Sequence, residues 1–120
     1  MSIFDNPKTV LKNLLINLKP KGEIYIFGPF NTYPINVYVK YEDLNLNRNI
    51  LQSGWNIFSI KLIKDFFKNK KIELFPFFIN KKIKKNKKDS LRSWTFKLSG
   101  KNYFINALGF IQKQYWIRIN

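Results

Sequence analysis

The feature of this sequence with the clearest chemistry is residues 80–90, which we call the lysine segment. Six lysines fall within the eight positions from Lys81 to Lys88, with Ile83 and Asn86 between them. A lysine ammonium carries three hydrogen-bond donors and pairs with a phosphate oxygen as a point charge. Such contacts release condensed counterions and do not depend on base sequence. The segment therefore predicts a phosphate-binding element.

Positive charge is concentrated around this segment. The chain has 22 basic and 7 acidic residues, a net charge of +15, and most of the basic residues lie between Lys61 and Lys101. This excess predicts a polyanionic partner, with nucleic acid as the first candidate and an anionic membrane surface as the second. The residues that we predict to contact RNA phosphates are Lys81, Lys82, Lys84, Lys85, Lys87, Lys88, Arg92, Lys97 and Lys101.

Aromatic residues could add base stacking to this electrostatic binding. Most of the 12 phenylalanines, six tyrosines and three tryptophans must form the core of so small a domain. The candidates for stacking are Tyr33, Tyr38, Trp55, Trp94 and Trp116.

The sequence offers little for catalysis. It contains no cysteine and no histidine, which removes thiol chemistry, disulfides, imidazole bases and the common zinc sites. Among the carboxylates Glu42 and Asp43 are adjacent, and a strand would point consecutive residues to opposite faces. We therefore expect no enzymatic activity, no metal site and no cofactor.

No stretch of the sequence approaches the roughly 20 apolar residues that span a bilayer. The apolar run 73–79 is interrupted by Pro76. The first residues lack the basic region and the cleavage site of a secretory signal, and they contain Asp5 and no arginine, unlike a mitochondrial import peptide. We expect neither a membrane-spanning segment nor an import peptide.

A helix is predicted near the start, with Asp5 or Asn6 as its cap and Pro7 in its first turn. It should be amphipathic, run for about three turns and end at residues 19–22. A membrane-surface role is the alternative to packing on the core. The apolar positions expected to pack on the core are Val10, Leu11, Leu14, Leu15 and Leu18.

The next part of the chain has the composition of strands. Residues 23–27 and 35–41 are predicted strands, joined by the turn-rich segment 28–34. Residues 43–56 are a loop by composition. The side chains of the second strand expected to face the core are Ile35, Val37 and Val39.

Residues 57–71 fit two patterns. Alternating apolar residues at the start predict a strand, whereas the spacing of apolar and basic residues over 57–68 predicts a helix, which we favour. A strand at 72–79 follows, and Pro76 within it predicts an edge position or a bulge.

A hairpin is predicted after the lysine segment, with alternating strands on either side of a turn at 99–102. A last strand is predicted at 114–119. Together these elements predict one α+β domain over residues 1–120, with a mainly antiparallel sheet and one or two helices. The lysine segment would project from it as a loop.

Residue usage carries a resemblance to a known class of proteins. Phenylalanine, isoleucine, lysine, asparagine and tyrosine, which have AT-rich codons, dominate the sequence, and lysine far outnumbers arginine. A small, basic, cysteine-free chain of this kind resembles the ribosomal proteins encoded in AT-rich mitochondrial genomes. Residues 22–45 are also similar to the strand, asparagine–threonine turn and strand of the small-subunit ribosomal protein S11 family. The glycine-rich middle and basic proline-containing tail of that family are missing.

The resemblance implies a structural component of an organellar ribosome in the mitochondrial matrix. Its expected partners are rRNA and neighbouring ribosomal proteins, with no small-molecule substrate and no membrane contact. The net charge also predicts marginal stability without the partner.

Two alternatives stay open. One is a non-catalytic accessory subunit of a mitochondrial membrane complex, with its basic face on anionic lipid. The other is a free nucleic-acid-binding protein of a virus or plasmid from an AT-rich host.

Overall fold

The computed structural model describes residues 1–45, 50–89 and 91–120. Within these ranges the chain forms helices α1 (Pro7–Ile16) and α2 (Ile60–Phe66) and eight strands, which confirms the α+β class. The strands are β1 (Ile24–Asn31), β2 (Lys40–Tyr41), β3 (Gln52–Ser53), β4 (Phe58–Ser59), β5 (Ile72–Phe77), β6 (Trp94–Leu98), β7 (Lys101–Ile105) and β8 (Gln114–Ile119).

The central sheet has the strand order β4, β1, β8, β5. β8 runs antiparallel to both β1 and β5, and β4 joins β1 in parallel. The register aligns Ile26 with Ile117 and Ile117 with Leu74 across three strands. Because successive side chains alternate, each of these strands contributes to two faces. We call them the core face, which carries these three residues, and the outer face.

The hydrophobic core lies between the core face and the two helices. Leu11 of α1 and Ile63 of α2 are fully buried in one cluster with Ile117 of β8. Each fully buried side chain of this size contributes about 1.5–3 kcal/mol relative to exposure. The buried hydrophobic residues of the cluster are Leu11, Ile24, Ile26, Phe30, Phe58, Ile60, Ile63, Phe67, Ile117 and Ile119.

α1 begins as predicted. The side chain of Asn6 caps it by accepting a hydrogen bond from the backbone N–H of Thr9 at 3.3 Å. Pro7 occupies the first helical position, where the missing N–H costs no helical hydrogen bond.

The predicted apolar face of α1 is confirmed in part, because Leu18 packs against the core cluster and Val10 is half-buried. Leu11 is buried, but Leu14 and Leu15 are exposed, and the helix ends at Ile16, before residues 19–22. The cause is that α1 contacts the core along a narrow stripe around Leu11.

β1 is longer than the predicted strand 23–27. It continues to Asn31, through the segment that we predicted as a turn, because Phe30 is buried and pairs with Phe58 of β4. The pairing with β4 begins at Phe30, so Pro29 breaks no hydrogen bond of that ladder.

The predicted strand 35–41 is also wrong in its extent. Only its end forms a strand, β2, which pairs with β3, while Val37 makes an isolated bridge to Ile57. Ile35 is exposed and Val39 is buried. β3 lies within the predicted loop 43–56, of which residues 46–49 lie outside the described residues.

A buried asparagine explains this arrangement. Asn56 is fully buried; its side-chain carbonyl accepts from the Val39 N–H at 2.8 Å and its amide donates to the Phe4 carbonyl at 2.9 Å. The hydrogen bonds of this one side chain satisfy backbone groups that a strand ladder would otherwise pair, and they link the segments around Phe4, Val39 and Asn56.

The segment 57–71 forms both a strand and a helix, the two structures that its sequence patterns predicted. Its first residues form β4, and α2 follows directly, so the predicted helix 57–68 is too long at both ends. Ser59 sets the boundary, because its hydroxyl caps α2 by accepting from the Lys61 N–H at 3.0 Å.

The later elements are close to their predictions, although β5 ends at Phe77 and not at residue 79, and β7 begins at Lys101, inside the predicted turn 99–102. β5 lies at an edge of the central sheet, as Pro76 predicted, and β8 has the predicted bounds. β6 and β7 form the predicted hairpin with a tight turn at Ser99 and Gly100, whose φ angles are 47° and 79°. Two consecutive positive φ angles are the mark of a type I′ turn.

The molecule is more extended than a compact chain of its length. The Cα radius of gyration is 15.9 Å, compared with about 14 Å expected for 120 residues. The β6–β7 hairpin forms a ribbon separate from the central sheet.

Candidate nucleic-acid interface

The lysine segment connects β5 to β6, and its described residues, 80–89, form neither helix nor strand. It is nevertheless held in place at its centre. The Ile83 N–H donates to the Thr95 hydroxyl at 2.9 Å, and the Ile83 carbonyl accepts from the Thr95 N–H at 3.1 Å. The segment therefore runs along the edge of β6, attached through its one apolar residue among the lysines.

Short-range hydrogen bonds shape the rest of the segment. The side chain of Asn86 accepts from the Lys88 N–H at 3.0 Å, and the side chain of Asp89 accepts from the N–H groups of Leu91 and Arg92. Asparagine and aspartate commonly stabilise turns in this way. These turns give the lysine backbone a defined path into β6.

All six lysines from Lys81 to Lys88 are exposed. Among the described residues, no carboxylate lies within 4.0 Å of their ammonium groups; the ion pairs involve Lys40, Lys61, Lys71 and Arg118. Their charges are therefore not neutralised within this part of the chain, and the ammonium groups can pair with external anions.

Two cations of the predicted set lie over aromatic rings. The Lys85 ammonium is 4.9 Å from the centroid of the Trp94 ring, and the Lys101 ammonium is 4.8 Å from that of Phe78. Cation–π contacts at exposed sites contribute about 0.5–1 kcal/mol. They restrict these two side chains and leave their outer N–H groups free to bind an anion.

The remaining predicted cations extend the site along the hairpin. Arg92 lies just before β6 and is exposed. Lys97 pairs with Asn102, whereas Lys101 pairs with Leu98, so the two lysines point to opposite faces of the ribbon. The nine predicted residues thus lie along one edge and on both faces of the hairpin and do not form one flat patch.

A second feature, which the sequence analysis did not identify, lies on the outer face of the central sheet. Five aromatic side chains point outward from β1, β8 and β5, with exposed fractions from 36% for Phe77 to 56% for Tyr25. We call them the aromatic face, and they are Tyr25, Phe27, Phe75, Phe77 and Trp116.

Three members of the aromatic face contact one another. The ring centroids of Phe27 and Trp116 are 4.7 Å apart, and those of Phe27 and Phe77 are 5.2 Å apart with the rings at 88°. Such contacts hold the rings in defined orientations. Phe75 is paired with Trp116 in the sheet register, so the rings spread over all three strands.

An ionic cluster lies at one end of the aromatic face. Arg118 donates to Glu23 and Glu73, and the Tyr25 hydroxyl donates to Glu23 at 2.7 Å. The hydrogen bonds from Arg118 and Tyr25 lower the pKa of the Glu23 carboxyl, and the hydrogen bond from Lys71 is the main cause of the lowered pKa of Glu73. The Glu23 hydrogen bond raises the pKa of Tyr25. Both carboxylates therefore stay charged near neutral pH and offset the nearby cations.

The other end of the aromatic face adjoins the hairpin. A pocket of about 350 Å³ is lined by Phe77 and Gln114 from the sheet and by Lys101, Tyr103 and Lys113 around it. This volume is at the small end of the range for ligand pockets. Lys101 of the hairpin and Lys113, which precedes β8, thus lie beside the aromatic face at this pocket.

A second pocket, of about 270 Å³, lies beside the same end of the sheet. Phe27 and Pro29 line it from β1, and Ser93 and Phe104 line it from the base of the hairpin. Since Ser93 directly follows Arg92, one cation of the predicted set lies next in the chain to a residue that lines this pocket.

The structure separates the five aromatic residues that the sequence suggested for stacking. Trp116 belongs to the aromatic face, and Trp55 lines the pocket beside it. Trp94 lies under Lys85, whereas Tyr33 and Tyr38 lie elsewhere, in the connection between β1 and β2. Only part of that set is therefore brought together.

The signal for the missed residues is alternation. Tyr25 and Phe27 alternate with buried isoleucines in β1, and Phe75 and Phe77 occupy every second position of β5. Because the sequence does not say which strands are neighbours, these two aromatic pairs could not be assigned to a common surface.

Other kinds of site find no support in the described ranges. No group of three or more acidic side chains gathers there in a way that could hold a metal ion. Neither of the two described helices has the length and apolar character that a membrane crossing needs. Comparison of the chain with family models, with curated proteins and with solved structures finds no match.

Proposed function

We propose that this protein is an RNA-binding structural component of an organellar ribosome, located in the mitochondrial matrix, with rRNA and neighbouring ribosomal proteins as its partners. The observation that carries the proposal is the lysine segment, in which six exposed lysines without an ion-pair partner among the described residues lie along the edge of a hairpin. Binding would occur through phosphate neutralisation and shape.

The arrangement of the segment supports a role in a fixed assembly. Its backbone is attached at Ile83 and shaped by two turns, so less chain must be ordered when an RNA backbone binds. The composition of the chain, with its excess of lysine over arginine, supports the mitochondrial ribosomal assignment by resemblance.

Sedimentation of a native organelle lysate through a sucrose gradient tests the proposal. The protein, followed by mass spectrometry, should migrate with a ribosomal subunit and should be released from that position by ribonuclease. Migration with a membrane complex regardless of ribonuclease would contradict the proposal and favour contact of the lysines with anionic lipid. Recovery as a free RNA–protein complex outside any ribosomal particle would contradict the ribosomal part alone.

A further inference from the structure

The aromatic face is the side of the central sheet that the two described helices leave uncovered. The helices cover the core face, whereas the outer face exposes five aromatic rings from three adjacent strands. Singly exposed apolar residues are normal, but a contiguous apolar surface of this kind marks an interaction site. The chemistry of the rings and the charges around them indicates the partner that would cover this surface.

The character of the rings favours nucleobases. Every base presents a flat π surface, and exposed aromatic side chains on a sheet stack two or three bases in other RNA-binding domains. The outward positions of β5 from Glu73 to Phe77 span four residues, or roughly 13 Å at the usual rise per residue. That length is suited to two or three nucleotides.

The distribution of charge also favours a nucleic acid. At the hairpin end of the face, Lys101 and Lys113 line the pocket next to Phe77. At the opposite end, Glu23 and Glu73 offset Arg118, which makes that end unfavourable for phosphates. An RNA backbone would therefore enter from the hairpin, where the uncompensated cations lie.

A second copy of the chain is disfavoured as the partner. Two chains would bring net charges of +15 into contact, and their repulsion opposes association at low salt. An RNA duplex is also a poor fit, because its bases are stacked on one another and it presents mainly phosphates and sugars.

We propose that the aromatic face binds a single-stranded RNA segment, with unpaired bases stacked on Phe27, Phe75 and Trp116 and the adjoining phosphates held by Lys101 and Lys113. This inference rests on the RNA-binding function proposed above and adds the form of RNA that is bound. Stacking tolerates any base, so the site selects unpaired RNA without selecting its sequence.

Binding of the full chain to a fluorescently labelled oligouridine and to an RNA duplex of equal length tests the inference. Phe75→Leu and Trp116→Leu keep apolar side chains but remove the rings, so each should weaken oligouridine binding by roughly fivefold to 150-fold. The matched control is Phe4→Leu, which removes an aromatic side chain that is 46% exposed outside the aromatic face and should leave affinity unchanged. Trp116→Phe keeps a ring and should retain most of the affinity.

A spectroscopic readout locates the contact directly. In the variant Trp55→Phe/Trp94→Phe, Trp116 is the one remaining tryptophan. Its fluorescence should be quenched on adding oligouridine and should change little on adding the duplex, because base stacking occurs only with unpaired RNA.

The outcomes separate this inference from the function on which it rests. If lysine-to-glutamine changes in the lysine segment weaken binding while both leucine variants bind normally, RNA binding stands and the stacking inference is wrong. Absence of binding to either RNA by the wild-type chain would overturn both. A concentration-dependent dimer that Phe75→Leu abolishes would instead assign the aromatic face to a second copy of the chain.

Discussion

Removing charge from the lysine segment should change how RNA affinity depends on salt. The variant Lys81→Gln/Lys82→Gln/Lys84→Gln/Lys85→Gln removes four of the six ammonium groups. These lysines form no ion pair with the described residues, and the hydrogen bonds that attach Ile83 use backbone atoms. The substitutions therefore reduce phosphate contacts and keep the hydrogen bonds that fix the backbone of the segment, while Lys85→Gln also removes the cation–π contact with Trp94.

The expected magnitude follows from counterion release. If all six lysines contact a single strand, the slope of log affinity against log salt is about −4, and with two contacts it is about −1.4. Raising the salt from about 50 to about 200 mM would then weaken the wild type by roughly 300-fold and the variant by roughly sevenfold. The affinity loss should be similar for all RNA sequences, because phosphates carry no base identity.

The assay is a series of anisotropy titrations with labelled RNA at several salt concentrations. A control with the same change in net charge is Lys8→Gln/Lys12→Gln/Lys64→Gln/Lys68→Gln, whose positions lie on and just after the helices that cover the core face. Its slope should stay close to that of the wild type. Equal slopes for the two quadruple variants would refute the reasoning, since net charge and not the lysine segment would then determine binding.

Three further predictions concern the fold. Asn56→Ala should lower the free energy of unfolding by roughly 2–3 kcal/mol in urea titrations, because it leaves two backbone groups without a partner. Gly100→Val should cost roughly 1–2 kcal/mol by the same measurement, because its φ of 79° is unfavourable for a branched residue while the space around it is open. The pKa of Glu23 is lowered by Arg118, so its contribution to stability is present above the ordinary glutamate pKa of about 4.3 and is lost as the pH falls through the folded pKa. In Arg118→Met, NMR titration should show the Glu23 pKa rising, and the difference in Tm from the wild type should shrink as the pH falls through the lowered pKa of Glu23 in the folded wild type.

The parts of the fold that the sequence predicted well are those fixed by nearby residues. The cap at Asn6, the turn at Ser99 and Gly100 and the alternation in β8 all involve short-range patterns. The central pairing of β1 with β8 joins opposite ends of the chain, and no local pattern specifies it. The same limit explains why Phe30, predicted in a turn, lies in a strand that tertiary burial extends.

The candidate site also has one part that the sequence predicted and another part that depends on contacts between distant residues. The lysine segment could be found from composition, because charge is visible in the sequence without knowledge of the fold. Its attachment through Ile83 to Thr95 could not, since it depends on a contact between a loop and a strand. The aromatic face required the register of three strands, which brings Phe75 beside Trp116.

The position of Pro76 in β5 has a consequence for the solubility of the chain. An edge strand that carries exposed aromatic side chains is a template for cross-β aggregation, in which strands of other molecules add to the free edge. Pro76 supplies no N–H for such a ladder and interrupts the edge between Phe75 and Phe77. The positive charges that begin at Lys81 also repel an approaching copy. Pro76→Val, which restores an N–H and a strand-forming side chain, should therefore make the purified protein more prone to form fibrils.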